Sequence, residues 1–218
     1  MANFHSFLAL AFGLSLVPSI ASAGVIVVNW TGTIDSGQDI TNYFGLGTDW
    51  TNHGISGTLT YNTSNVPTDL EMDPNFGLYR DSTSWFSMST FITNGPTTLQ
   101  IPFASSTPYL YQIAVADNLG DDNFTLNQLD NTPAGSTTMN LYLQDSSGAA
   151  LTSEAMPSIF PSFSSWGTTT GQLSLYEDSN SIDATFRITS YTTAVPEPST
   201  AAWLLCASSV ICLSRRRR

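Results

Sequence analysis

The sequence predicts an all-β outer domain, a single β-sandwich or jelly-roll-like body, and three observations carry that expectation. Apolar residues recur with period two, the apolar runs are short and number about ten, and the stretches between them have the chemistry of turns. The runs are 25–30 (VIVVNW), 55–62, 76–80 (FGLYR), 84–92 (SWFSMSTFI), 97–103 (TTLQIPF), 109–116 (YLYQIAVA), 123–127 (NFTLN), 139–144 (MNLYLQ), 171–177 (GQLSLYE) and 182–189. Alternation is clearest in two of them. Ile55, Gly57, Leu59 and Tyr61 interleave with Ser56, Thr58, Thr60 and Asn62, and Ile182, Ala184, Phe186 and Ile188 interleave with Asp183, Thr185, Arg187 and Thr189. Each is a strand with one apolar and one polar face. Asp35-Ser36-Gly37, Asn94-Gly95-Pro96, Gly120-Asp121-Asp122, Ser146-Ser147-Gly148 and Asp178-Ser179-Asn180 fall between runs. Such residues tolerate positive φ or bond their own backbone. The stretch 149–167 (AALTSEAMPSIFPSFSSWG) departs from this pattern and reads as a long connection packed over the core.

A chain of 218 residues suits one domain with a real core. With 41% of residues hydrophobic and 11% charged, a disordered polyampholyte is excluded. There is no lysine, and four of the six basic residues are Arg215, Arg216, Arg217 and Arg218. Between Gly24 and Ala194, two bases, Arg80 and Arg187, stand against sixteen acids, a net charge of −14. Binding to phosphate backbones and anionic lipid depends on Lys and Arg, so the body is not expected to bind nucleic acid. Both cysteines, Cys206 and Cys212, lie in the last apolar run, which leaves the body without a disulfide or a thiolate.

The two ends read as targeting segments. Residues 7–17 (FLALAFGLSLV) form an apolar run followed by Pro18 and then Ala21-Ser22-Ala23. An apolar core closed by a small-x-small site is a secretory signal peptide over 1–23, cut between Ala23 and Gly24. The outer domain then occupies 24–194. At the far end, 199–213 (STAAWLLCASSVICL) is uncharged and is followed by Ser214 and the four arginines. As a helix it spans about 22 Å at 1.5 Å per residue, less than the ~30 Å hydrocarbon core, with the basic block fixing its C-terminus on the cytoplasmic side. Just before it, Pro196 and Pro198 flank Glu197 in an extended, accessible linker.

This order over 195–218, Pro196-Glu197-Pro198, a short apolar helix, then Arg215 to Arg218, resembles the sorting signal of the PEP-CTERM proteins. The resemblance implies an exported bacterial envelope protein handled by an exosortase, a membrane protease-transpeptidase that cuts near the signature. It implies anchoring in the inner membrane before processing, and the cell surface or extracellular matrix afterwards. It also implies association with exopolysaccharide production and biofilms. The layout of the body is similar to one recurring outer domain of that family, to which no activity is attached.

No chemical motif in the body assigns a catalytic residue. The single body histidine, His53, has no G-x-S-x-G elbow to serve and reads as an exposed loop residue. Metal-ligating histidine motifs, phosphate loops and dinucleotide fingerprints are missing. Glu71, Glu154 and Glu177 leave room for a secreted β-sandwich glycan-active enzyme, whose paired carboxylates would have to meet in space. Calcium is the one ion the composition suits: Asp117, Asp121, Asp122 and Asn123 crowd one loop, and Asp69, Glu71 and Asp73 crowd another. Acids in turns also arise for backbone reasons. Among the aromatic residues, Trp50 and Tyr43 sit in polar surroundings and are the candidates for stacking on a sugar face. The leading expectation is therefore a non-enzymatic envelope or matrix protein associated with exopolysaccharide, and the alternative is the glycan-active enzyme. The exported protein is expected to begin at Gly24; mass spectrometry finding Met1 or Ala2 on the mature chain would refute the cleavage site.

Overall fold

The computed structural model describes residues 24–82, 85–103, 108–118, 120–132, 135–178 and 180–194. The expected signal peptide and the whole sorting segment 195–218 lie outside the described residues. No helix among the described residues is long and apolar enough to cross a membrane.

Ten strands follow in chain order: β1 (Val25–Gly37), β2 (Gly54–Asn62), β3 (Phe76–Asp81), β4 (Phe86–Asn94), β5 (Thr97–Gln100), β6 (Pro108–Asn118), β7 (Asp121–Thr132), β8 (Gly135–Asp145), β9 (Thr168–Glu177) and β10 (Asn180–Ala194). Every apolar run of the sequence contains a strand; most extend beyond the run, whereas β5 stops at Gln100, short of the run's end at 103, and β4 begins at Phe86. Every ladder is antiparallel, and β4–β5, β6–β7, β7–β8 and β9–β10 are joined by hairpin-length connections.

The hydrogen-bonded order is β3-β6-β7-β8-β9-β10-β1-β2-β4-β5, one unbroken sheet. Hydrogen bonding therefore does not divide the strands into two sheets. Instead the single sheet bends until its inner face meets itself: Val28, Trp30 and Leu59 of β1 and β2 share a void of about 20 Å³ with Phe124, Leu141 and Leu143 of β7 and β8. Phe86, which opens β4, packs edge-on to Tyr111 of β6 with ring centroids 5.0 Å apart. A sheet this long must curl, because the right-handed twist of each strand accumulates across it.

The inner face carries the core. In β2, β8 and β10 buried residues alternate strictly with less buried ones along most of the strand, as the pleat requires. At the centre, Trp30 and Phe186 stack with ring centroids 5.6 Å apart and planes 10° from parallel. Their cross-strand partners are Gly57 and Gly171. A side chain on Gly57 would meet the Trp30 indole, and one on Gly171 would fall inside the Phe186 ring. The missing Cβ atoms are the space in which the two rings lie flat.

The connection 149–167 closes over this face. Leu151, Phe160 and Trp166 are buried, and Phe160 packs edge-on to Phe124 and to Tyr191. Its only regular piece is a 3₁₀ turn, Phe163–Ser165. Tyrosines from three strands donate to its carbonyls: Tyr61 to Pro157 O (2.7 Å), Tyr79 to Glu154 O (3.2 Å) and Tyr191 to Pro161 O (2.7 Å).

Gly171→Ala is expected to destabilise the domain by about 1–3 kcal/mol, the cost of overpacking a filled core. Thermal unfolding would show a midpoint lowered by several degrees, and an unchanged midpoint would mean that Phe186 shifts aside without cost.

Candidate functional site

The loop between β1 and β2 contains both aromatic candidates, and the structure separates them. Trp50 is fully buried. Its indole N–H donates to Gly47 O at 3.1 Å and its ring receives the edge of Phe44 at 6.1 Å, so no face is left for a sugar. The polar neighbours that suggested exposure are the outside of a loop wrapped around this ring. Tyr43 is 43% exposed and its hydroxyl donates to Asp178 at the β9–β10 turn (3.0 Å). That hydrogen bond, then burial and the negative charges of Asp178 and Glu177, raise its phenol above the usual range. Asp39, itself buried, holds the loop by accepting from the backbone N–H groups of Tyr43 and Phe44.

His53 is buried rather than exposed. Its Nδ1 has no hydrogen-bond partner, and no serine or carboxylate is bonded to its ring among the described residues. A triad is not assembled here.

The structure brings together two of the four proposed calcium ligands, Asp117 and Asp122, and turns Asp121 and Asn123 to the other face. Asp121 opens β7, so the stretch taken for a loop is strand, and the pleat sends alternate residues to opposite faces. Asp121 and Asn123 face outward, where they accept from Gln144 Nε2 (2.9 Å) and the Tyr142 hydroxyl (2.6 Å). Asp122 faces inward with its ladder partner Asp117 on β6 and its ladder partner Asp145 on β8. Two of these inner carboxylates, Asp122 and Asp145, serve the backbone of the connection. Asp122 accepts from Leu151 N (2.8 Å), and Asp145 accepts from Ser147 N, Ala149 N and Ala150 N at 2.9, 2.9 and 3.0 Å. The second acidic cluster does similar work: Asp69 accepts from Glu71 N and Leu78 N, and Asp73 from Asn75 N. No three His, Cys, Asp or Glu side chains among the described residues are placed to hold a metal ion.

Two carboxylates that share a surface groove are engaged by neighbouring residues. A surface groove of about 430 Å³ is lined by Ser36, Gln38, Asp49, Thr51, Ser181 and Asp183. The Thr51 hydroxyl and N–H hold the Asp49 carboxyl below its ordinary value, the reverse of what a general acid needs. Asp183 accepts from the Ser174 hydroxyl at 2.6 Å. Glu71 lies exposed on the loop before β3, Glu154 on the connection and Glu177 at the end of β9.

What the strands do assemble is an outer face of hydroxyls and carboxamides. The ladders align Arg80 on β3, Gln112 on β6, Asn127 on β7, Asn140 on β8, Gln172 on β9, Thr185 on β10 and Ser36 on β1 in a single cross-strand row. Adjacent hydroxyls on the face pair with one another, Ser36 with Thr185 (2.8 Å) and Thr31 with Ser190 (2.7 Å). Arg187 is bound to Asp35 at 2.8 Å. The sequence could not show this row, because its members are brought together only by register.

The chain matches no family model, no curated protein and no solved structure.

Burial first, then the charges of Asp122 and Glu154, raises the Asp117 carboxyl above its ordinary value. A carboxyl so raised favours the folded state when protonated and opposes it when ionised, so its contribution is lost as pH rises through its folded value. Asp117→Asn is therefore expected to raise the thermal midpoint at pH 7, with the difference vanishing below about pH 4, near the unfolded value. A variant equally or less stable at neutral pH would overturn this assignment.

Proposed function

We propose that the protein is an exported, non-enzymatic component of the cell envelope or extracellular matrix, sorted by an exosortase and associated with uncharged exopolysaccharide. The observation that carries this is the outer face just described, a broad sheet surface of Ser, Thr, Asn and Gln without a convergent acid–base pair. Such side chains both donate and accept, as sugar hydroxyls do. The −14 body favours neutral polymers over anionic ones. In this reading the curled sheet is a sandwich-like body whose inner faces form the core and whose outer wall meets the matrix.

The sorting part of the proposal rests on Pro196-Glu197-Pro198, the apolar run and the arginine tail. β10 ends at Ala194, one residue, Val195, before the signature. In this reading the two prolines keep the signature accessible to a protease, and the apolar run after it is too short to be a firm anchor.

Glu197→Ala is expected to leave export intact and to accumulate the uncut, membrane-bound form in the native host, while wild type appears in the matrix fraction. Identical C-terminal peptides and identical membrane fractions for the two would reduce the segment to a plain tail anchor.

A further inference from the structure

The cross-strand row on the outer face holds four consecutive carboxamides, Gln112, Asn127, Asn140 and Gln172, one on each of four neighbouring strands. Strands lie about 4.8 Å apart, so the full row from β3 to β1 extends on the order of 29 Å across the sheet.

Several polar side chains on this face are engaged by a neighbour on the next strand. Asn123 is taken by Tyr142, Asp121 by Gln144, Asp183 by Ser174, and Asn29 by Thr58. The four carboxamides differ. None makes a side-chain hydrogen bond to a described residue, and Asn140 Oδ1 is shielded by its neighbours without a donor in reach. A carboxamide offers two donors and two acceptor lone pairs, and in Asn140 one shielded acceptor is left unpaired. Four such groups in register are unspent capacity arranged along a line.

We infer that this row is a binding site for an extended, uncharged, hydroxyl-rich polysaccharide chain lying across the strands. The inference rests on the proposed matrix function and names the surface that performs it. Each strand step presents one donor–acceptor pair, so a linear polymer repeating hydroxyls along its length meets successive carboxamides while a compact ligand meets one or two. Carboxylate-bearing chains are disfavoured: acids outnumber bases on the body, and the bases on this face are Arg80 at the end of the row and Arg187, already bound to Asp35.

The test is affinity electrophoresis of the purified full-length chain through gels containing dextran, hydroxyethylcellulose or alginate. Retardation is expected in at least one neutral gel and not in alginate. The double variant Asn127→Thr/Asn140→Thr, which keeps strand-compatible side chains, is expected to weaken retardation at least tenfold. Thr58→Val, on the outer face of β2 away from the row, is expected to behave as wild type. Gln172→Thr provides a second variant at an exposed position should the double variant fail to fold by circular dichroism. Equal retardation of wild type and row variants would overturn the row while leaving the matrix function intact. No retardation in either neutral gel, or stronger retardation in alginate, would overturn the site and its ligand class. The matrix function fails by a different measurement, the absence of wild-type protein from the matrix fraction of its host.

Discussion

Trp30 and Phe186, stacked over two positions that have no side chain, set the geometry of the whole inner face. They occupy β1 and β10, and the glycines beneath them occupy β2 and β9, so the stack and its glycines span four neighbouring strands. Buried aromatic side chains remove about 150–250 Å² each from water, worth roughly 4–6 kcal/mol apiece as an upper value. Trp30 Nε1 is left without a partner, a loss of about 1–3 kcal/mol. Burial wins, and the ring stays inside. With the centre so filled, the arms on either side fold toward each other, and β1 and β2 come to face β7 and β8.

The acids of the body are mostly structural reagents. A long irregular connection cannot cover a core unless its own N–H and C=O groups find partners. Here carboxylates at the strand ends take the N–H groups and tyrosine hydroxyls take the carbonyls. A carboxylate accepts several N–H bonds at once, so Asp145 alone settles the turn that leaves β8. That division of labour explains why an acidic, cysteine-free body can keep a connection of nearly twenty residues in place.

Strands were legible because period-two alternation is a local property; all ten runs became strands. The surroundings of Trp50 were not legible, since a polar loop can fold its hydrophilic residues outward around one ring, as this one does through the Trp50–Gly47 hydrogen bond. The acidic stretch at 117–123 misled for the opposite reason. Its residues belong to two strands, and the pleat splits them between the faces. The carboxamide row escaped the sequence entirely: Gln112, Asn127, Asn140 and Gln172 have irregular spacing, and only register aligns them.

Placing the last strand at the middle of the sheet has a consequence for how the molecule comes into being. Without β10, the remaining strands form two separate arms, β3-β6-β7-β8-β9 and β1-β2-β4-β5, with nothing between β9 and β1. The joint is residues 180–194, paired on both sides. A chain emerging from its N-terminus, from a ribosome or through a narrow pore, therefore cannot complete its core until nearly its whole body is out. The same final segment that joins the arms draws residue 194 alongside residue 27, bringing the beginning and end of the domain to one side.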